Sequence, residues 1–293
     1  MKVTELWKSR QKATVSFELY PARTPKAEVS LDKTIDRLAD LKPDFVSVTF
    51  GAGGSTLKGS RDLVDKLINE KGLEMVAYVA CFGLGPRDLQ AALDGYQEIG
   101  VENILAVRGD PPIDQEEFTP HPDSLRHASD FLPFIKERYA FCVGAAGYPE
   151  GHIEAESKEK DIEFLKLKVE RGAQFIIANY FYDNRFFFKF TDRCRTAGID
   201  VPIIPGVMPV FNLKLMESLA QLCGATITSD LRQKLASLSE DDKDALLEFG
   251  ITYATEQCRG LIKAGAPGIH IYTMDRIKSA AGVVNQLRSE GLI

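Results

Sequence analysis

Two short segments carry residues whose types and spacing can do chemistry. Ala106-Val107-Arg108-Gly109-Asp110-Pro111-Pro112 follows an apolar run and ends in a turn that brings an arginine, a permissive backbone and a carboxylate to one point. Near the N-terminus, Ser16-Phe17-Glu18-Leu19-Tyr20-Pro21 is a second strand pattern that ends in a carboxylate and a proline. Either segment alone is a strand end running into a proline turn. As a pair they set two acids and a guanidinium at strand ends, where a carboxylate can exchange a proton with a ligand or accept its hydrogen bonds.

Composition excludes several classes of partner. The chain has 293 residues, 44% of them hydrophobic, enough to bury a large core. Its formal charge is -6 and no basic run is present, which argues against a nucleic-acid surface, since phosphate neutralisation needs clustered cations. No apolar stretch approaches the roughly 20 residues a membrane helix needs, and Met1-Lys2-Val3-Thr4-Glu5 lacks a signal-peptide core, so no membrane insertion and a cytoplasmic location are expected. The five cysteines, Cys81, Cys142, Cys194, Cys223 and Cys258, are too widely spaced for a zinc or iron-sulfur clip; they read as buried free thiols, and no metal site is expected.

The elements that must position the two acids follow from periodicity. Strand patterns run over Val15 to Leu19, Phe45 to Phe50, Met75 to Cys81, Asn103 to Val107, Phe141 to Ala145, Phe175 to Ala178, Pro202 to Pro205 and Gly268 to Tyr272. Between the first two, Leu31, Ile35, Leu38 and Leu41 recur at helical spacing before Pro43, and Gly100, Gly172, Gly198 and Gly265 stand before later strands, where helix C-caps belong. Repeated strand-helix units in one domain over residues 1–293 predict an α/β fold, a closed (β/α)8 TIM barrel. Alternation supports closure: Ser47 and Thr49 oppose Val46, Val48 and Phe50, while Ser16, Glu18 and Tyr20, and likewise His270 and Tyr272, share inward faces. Extra helices over Leu213 to Leu222, Ser229 to Leu238 and Asp241 to Lys263 lie between strands seven and eight as an insertion. The loop from Pro111 to Pro122, rich in proline and acids, is either a mobile lid or a plain solvated loop.

From about Val15 to the last helix the chain resembles the methylenetetrahydrofolate reductase family. The resemblance rests on Ser16-Phe17-Glu18, Phe45-Val46-Ser47-Val48-Thr49-Phe50-Gly51-Ala52, Arg108-Gly109-Asp110, Gly147-Tyr148-Pro149-Glu150-Gly151-His152, Tyr180-Phe181-Tyr182-Asp183, Ile204-Pro205-Gly206 and His270-Ile271-Tyr272-Thr273, in that order. It implies FAD-dependent reduction of 5,10-methylenetetrahydrofolate to 5-methyltetrahydrofolate. Glu18 matches the family's general acid, needed to protonate a ring nitrogen; its setting between Phe17, Leu19 and Tyr20 is expected to help it hold a proton. Asp110 matches the aspartate that accepts hydrogen bonds from the pterin and tunes the flavin. Both are thus expected catalytic and substrate-binding residues.

The resemblance further implies that Thr49, Tyr78, Arg108, Gly109, Asp110, Tyr148, His152, Asp161, Lys168 and Tyr272 hold FAD, the charged ones toward its ribose and diphosphate. No Gly-x-Gly-x-x-Gly fingerprint is present, which leaves the barrel as the FAD platform. Asn179, Phe181, Leu213 and Arg276 are the further positions expected at the folate. Three residues depart from the family pattern: Asn179 replaces a glutamine that serves pterin and nicotinamide, Leu213 a stacking phenylalanine for which Phe211 or Phe181 would substitute, and Tyr78 a histidine near the flavin. The expected electron source is NADH, NADPH or an iron-sulfur partner subunit, with self-association or a hetero-oligomer implied. A flavin-free folate-dependent methyltransferase or demethylase, and a non-catalytic folate-binding subunit, are the alternatives.

Overall fold

Alternating side chains on eight short strands decide the architecture. The computed structural model describes residues 1–9, 11–22, 24–51, 57–111, 118–239, 242–274 and 276–293. Strands β1 (Thr14–Leu19), β2 (Phe45–Val48), β3 (Met75–Ala80), β4 (Asn103–Val107), β5 (Cys142–Gly147), β6 (Phe175–Tyr180), β7 (Ile203–Val207) and β8 (Gly268–Tyr272) pair in sequence order. All neighbours are parallel, and β8 returns to β1 with Glu18 opposite Tyr272, so the sheet closes as the (β/α)8 barrel expected from the sequence.

Helices α2 (Pro25–Asp40), α3 (Leu57–Asp65, continued by a π-helical turn to Glu70), α4 (Pro86–Glu98), α5 (Ala128–Lys136), α6 (Lys158–Glu170) and α7 (Asn184–Thr196) follow the first six strands. After β7 come α8 (Leu213–Cys223), α9 (Ser229–Ala236) and α10 (Lys243–Lys263), and α11 (Ile277–Ser289) follows β8. Local signals set their ends. Thr24 Oγ1 accepts the Ala27 N–H at 3.2 Å before Pro25, and Gly100, Gly172, Gly198 and Gly265 adopt φ of +90°, +117°, +80° and +91° as helices turn toward the next strand. The extra helices fall where the sequence placed them, although Asp241, the expected start of the third, lies outside the described residues.

Two apolar layers result. Val15, Phe17, Leu19, Val46, Val48, Ala77, Val79, Ile269 and Ile271 face outward beneath the helices. Phe45, Val76, Leu105, Phe175, Ile177 and Ile204 fill the barrel interior. Phe50, half-buried, packs against both layers rather than on the helices alone. Interior volume is shared between large and absent side chains: a Cβ on Gly144 would lie 2.3 Å from the Phe175 ring, and one on Gly206 would lie 2.5 Å from the Tyr272 ring.

One element was not anticipated. Val3–Ser9 forms α1, which closes the N-terminal end of the barrel by setting Val3 and Leu6 into the interior layer. Trp7 packs against Phe45 and Phe175 at centroid distances of 6.2 and 5.6 Å, and its Nε1–H donates to Thr14 Oγ1 at 2.9 Å. With that end sealed, access to the interior is from the C-terminal ends of the strands. Helices α8 and α9 add a small core of their own around Met208, Val210, Phe211, Met216, Leu231 and Leu235. Among the described residues, no helix is long and apolar enough to cross a membrane and no His, Cys, Asp and Glu group could hold a metal.

Candidate active site

At the mouth, β1, β3 and β8 place one carboxylate among phenols. Glu18 is 3% exposed, and Tyr20 donates to its Oε1 at 2.6 Å. Its Oε2 stands 4.0 Å from His270 Nε2. His270 is itself tethered, with Nδ1 2.8 Å from Ser16 Oγ and Nε2 3.3 Å from Ser47 Oγ, and its ring lies on Phe45. Burial first, and then the charge of Glu18, push the Tyr20, Tyr78 and Tyr272 phenols upward; Tyr78 also hydrogen-bonds Glu18. Those hydroxyls therefore remain protonated, and those of Tyr20 and Tyr78 act as donors toward the carboxylate. The neighbours of Glu18 are thus not Phe17 and Leu19, as sequence proximity suggests, because strand alternation turns both into the outer layer.

Around the rim, β4, β5 and α6 gather the charged residues. Arg108 holds Glu154 in a two-pronged pair, with Nη2 2.8 Å from Oε1 and Nη1 on Oε2, and Nη2 also lies 3.4 Å from Asp110 Oδ1. The Asp110 side chain is 83% exposed, on the same C-terminal end of the barrel as Glu18. Gly109 has φ +81°, and a Cβ there would meet Ala80 Cβ at 2.6 Å, so packing on β3 already requires the glycine that was read as a point of cofactor approach.

Beside this turn, the rings of Tyr148 and His152 meet edge-on at 4.5 Å. Burial raises the Tyr148 phenol to about 12 and lowers the His152 imidazole. Asp161 and Lys168 do not decorate a solvent face. Burial raises the Asp161 carboxyl and lowers the Lys168 ammonium, whose Nζ donates to the Ala146 carbonyl at 3.2 Å and has no ion pair among the described residues. Thr49 is half-buried after β2, its carbonyl accepting from Ser60 Oγ at 2.9 Å.

On the β6–β8 side the outcome is mixed. The β6–β7 register shifts between Ile177 and Tyr180. Past that shift Tyr180 and Tyr182 join the cluster under α8, while Phe181 is fully buried in the outer layer, stacked on Phe187 at 5.4 Å. Phe181 therefore presents no face at the mouth and does not substitute for a stacking residue. Asn179 Oδ1 accepts its neighbour's N–H, that of Tyr180, at 2.9 Å. Tyr272 fills the space left by Gly206 and donates to the Ala178 carbonyl at 3.3 Å. Leu213 opens α8 half-buried, and Arg276 lies over the Phe211 ring at 4.6 Å.

All five cysteines are free; four are buried, but Cys223 is only partly so and donates to Tyr180 Oη at 2.8 Å. Half of the Pro111–Pro122 loop on which the lid reading rests, residues 112–117, lies outside the described residues, as does Ala52. Tyr20, Ser47 and His270, which complete the surroundings of Glu18, were not among the expected site residues, although alternation had already turned them inward. Glu154, the partner of Arg108, left no sequence signal.

A sheltered carboxyl with phenolic donors on one side of the mouth, and an open carboxylate with cations on the other, can protonate one part of a ligand while holding another. The profile described as methylenetetrahydrofolate reductase matches residues 2–288. The 5,10-methylenetetrahydrofolate reductase of Escherichia coli (strain K12) is 34% identical over 276 residues, covering 93% of this chain and 90% of its own. Methylenetetrahydrofolate reductase (NADH) 1 of Arabidopsis thaliana is 34% identical over 98% of this chain, which matches 51% of the plant protein; the chain spans about half the length of the plant and yeast relatives it matches. A Clostridium thermocellum protein, whose structure is described as binding two copies of 5-methyl-5,6,7,8-tetrahydrofolic acid, superposes with a TM-score of 0.63 at 14% identity over 97% of this chain and 99% of its own, a likeness of fold. Since the profile runs through α1, all eight strands and both acids, the chain belongs to the methylenetetrahydrofolate reductase family.

Proposed function

We propose that residues 1–293 act as one barrel unit that reduces 5,10-methylenetetrahydrofolate to 5-methyltetrahydrofolate with FAD. The observation that carries the reading is Glu18, a carboxyl 3% exposed at the mouth with the Tyr20 hydroxyl 2.6 Å from Oε1. Ring opening requires a proton on a substrate nitrogen, and the resulting iminium carbon is the hydride acceptor. Glu18 delivers that proton. The carboxylate left behind is stabilised by Tyr20 and Tyr78, whose phenols are held neutral by burial and by Glu18 itself. Asp110, exposed and loosely tied by Arg108, accepts hydrogen bonds from the aminopterin ring.

The donor set fits FAD. Lys168 is a cation that burial disfavours; the charge of Asp161 offsets this only in part, and no described carboxylate lies within ion-pair distance, which suits it to a diphosphate, and Arg108 stands on the same rim. Tyr148, His152, Thr49 and Asp161 would line the remainder of the cofactor. When bound, FAD supplies the hydride. NADH or NADPH would recharge it, a route supported by plant relatives whose names carry NADH; an iron-sulfur partner subunit is the other source.

The test is anaerobic. Purified protein is mixed separately with NADH and NADPH while the flavin absorbance is followed, and 5,10-methylenetetrahydrofolate is then added. Yellow protein that bleaches with a donor and regains colour as 5-methyltetrahydrofolate accumulates supports the proposal; dithionite replaces the donor if neither nucleotide bleaches it. Colourless protein, or reduced protein that never reoxidises with the folate, overturns it.

A further inference from the structure

One charged side chain on the rim has no role in the chemistry described above. Glu154 stands in the turn between β5 and α6, and its carboxylate takes both prongs of the Arg108 guanidinium, Nη2 at 2.8 Å from Oε1 and Nη1 on Oε2. Asp110, two residues beyond Arg108, receives only a long contact from the same Nη2, 3.4 Å from Oδ1. Two carboxylates therefore compete for one guanidinium, and Glu154 holds it.

The turn that carries Glu154 keeps it in place. Its N–H donates to His152 Nδ1 at 3.1 Å and the Ala155 N–H donates to the His152 carbonyl at 3.0 Å, so residues 152–155 close on themselves. Beside it, Ile153 lies against Gly224 at the end of α8, where a Cβ would come within 2.7 Å of Ile153 Cγ2. From the other side, Arg108 Nε donates to the Gly109 carbonyl at 3.2 Å, which orients the guanidinium. The hydrogen bonds from Arg108 hold the Glu154 carboxyl below its ordinary value, so it is an anion at neutral pH.

The chain shows elsewhere how an aspartate and an arginine two residues apart can close on each other. At the turn into α7, Arg185 Nε lies 3.1 Å from Asp183 Oδ1 and its Nη2 lies 2.5 Å from Oδ2. The same closure of Arg108 on Asp110 would neutralise a carboxylate whose side chain is 83% exposed and would occupy its lone pairs. We infer that Glu154 is a positioning residue for substrate binding: it keeps the guanidinium of Arg108 from closing on Asp110, whose lone pairs stay open to the hydrogen-bond donors of the aminopterin ring. This rests on the folate reading above and adds to it a residue that acts on the substrate only through Arg108 and Asp110.

The test is a double-mutant cycle. Binding of tetrahydrofolate, which carries the aminopterin ring but no methylene bridge to reduce, is measured anaerobically by calorimetry on wild type, Glu154→Gln, Asp110→Asn and the double variant. The Glu154 side chain is 56% exposed, so the amide is accommodated without repacking. Glu154→Gln should weaken binding about fivefold, the scale of one hydrogen bond lost at an open site. Added to Asp110→Asn it should weaken binding no further, because its effect runs through Asp110. Unchanged affinity in Glu154→Gln overturns the assignment, and so do losses that multiply in the double variant, as a general disturbance of the turn would make them. If wild type does not bind tetrahydrofolate, the folate reading has failed, and a crystal structure of Glu154→Gln decides the positioning role by itself: Arg108 closed on Asp110 supports it, and Arg108 anywhere else overturns it.

Discussion

Replacing Tyr20 with phenylalanine removes one hydroxyl and keeps the ring. In the structure that hydroxyl donates to Glu18 Oε1 at 2.6 Å, beside a carboxyl that is 3% exposed. As Glu18 gives up its proton it becomes a sheltered anion, and the Tyr20 bond strengthens along the reaction coordinate. Hydrogen bonds to charged groups contribute about 1.5–3 kcal/mol, or roughly 10- to 150-fold in rate at about 1.4 kcal/mol per decade. Tyr78 remains as a second donor, so the expected loss lies at the lower end, about 10- to 30-fold. Stopped-flow absorbance separates the half-reactions: folate-driven reoxidation should slow by that amount, and reduction by the donor should keep its rate. An unchanged reoxidation rate, or equal slowing of both halves, would refute the assignment of Tyr20 as the partner of the acid.

Other consequences are structural and electrostatic. Gly144→Ala sets a methyl 2.3 Å from the Phe175 ring, which Trp7 backs at 5.6 Å; urea unfolding should show a loss of about 1–3 kcal/mol, partly recovered by adding Phe175→Leu, since the two sites share one volume. His152 is held below its ordinary value of 6.5, chiefly by burial. The unfolded chain therefore binds the proton first, and His152 favours unfolding as pH falls below 6.5, with its share of stability complete above that value. In His152→Gln the urea midpoint should fall less between pH 6.5 and acid than in the wild type; identical slopes would contradict the burial.

Much of this architecture was legible in the residues because barrel strands carry a period of two. Ser47 opposite Val46 and Val48, and His270 opposite Ile269 and Ile271, showed which way each strand faced, and glycines before the strands marked where helices turned back. Helix α1 went unread: Val3, Leu6 and Trp7 make a single helical stripe of two turns, too short to stand out before its contacts with Phe45 and Phe175 are known. The surroundings of Glu18 were half legible, since Tyr20 shares its face, whereas Tyr78 and His270 reach it only through the register of β3 and β8 around the closed sheet. Phe181 was misplaced because a register shift in β6 reverses side-chain parity, and no residue type announced it. The Arg108–Glu154 pair joins two loops far apart in sequence, and only the fold brings them together.

The central claim is that Glu18 supplies the proton that opens the folate ring, and Glu18→Gln tests it most directly, because the amide keeps the shape and cannot act as the acid. FAD-loaded variant protein is reduced anaerobically and mixed with 5,10-methylenetetrahydrofolate. Reduction should proceed at the wild-type rate, while reoxidation and formation of 5-methyltetrahydrofolate are lost; a variant that reoxidises with the folate as fast as wild type would contradict the account.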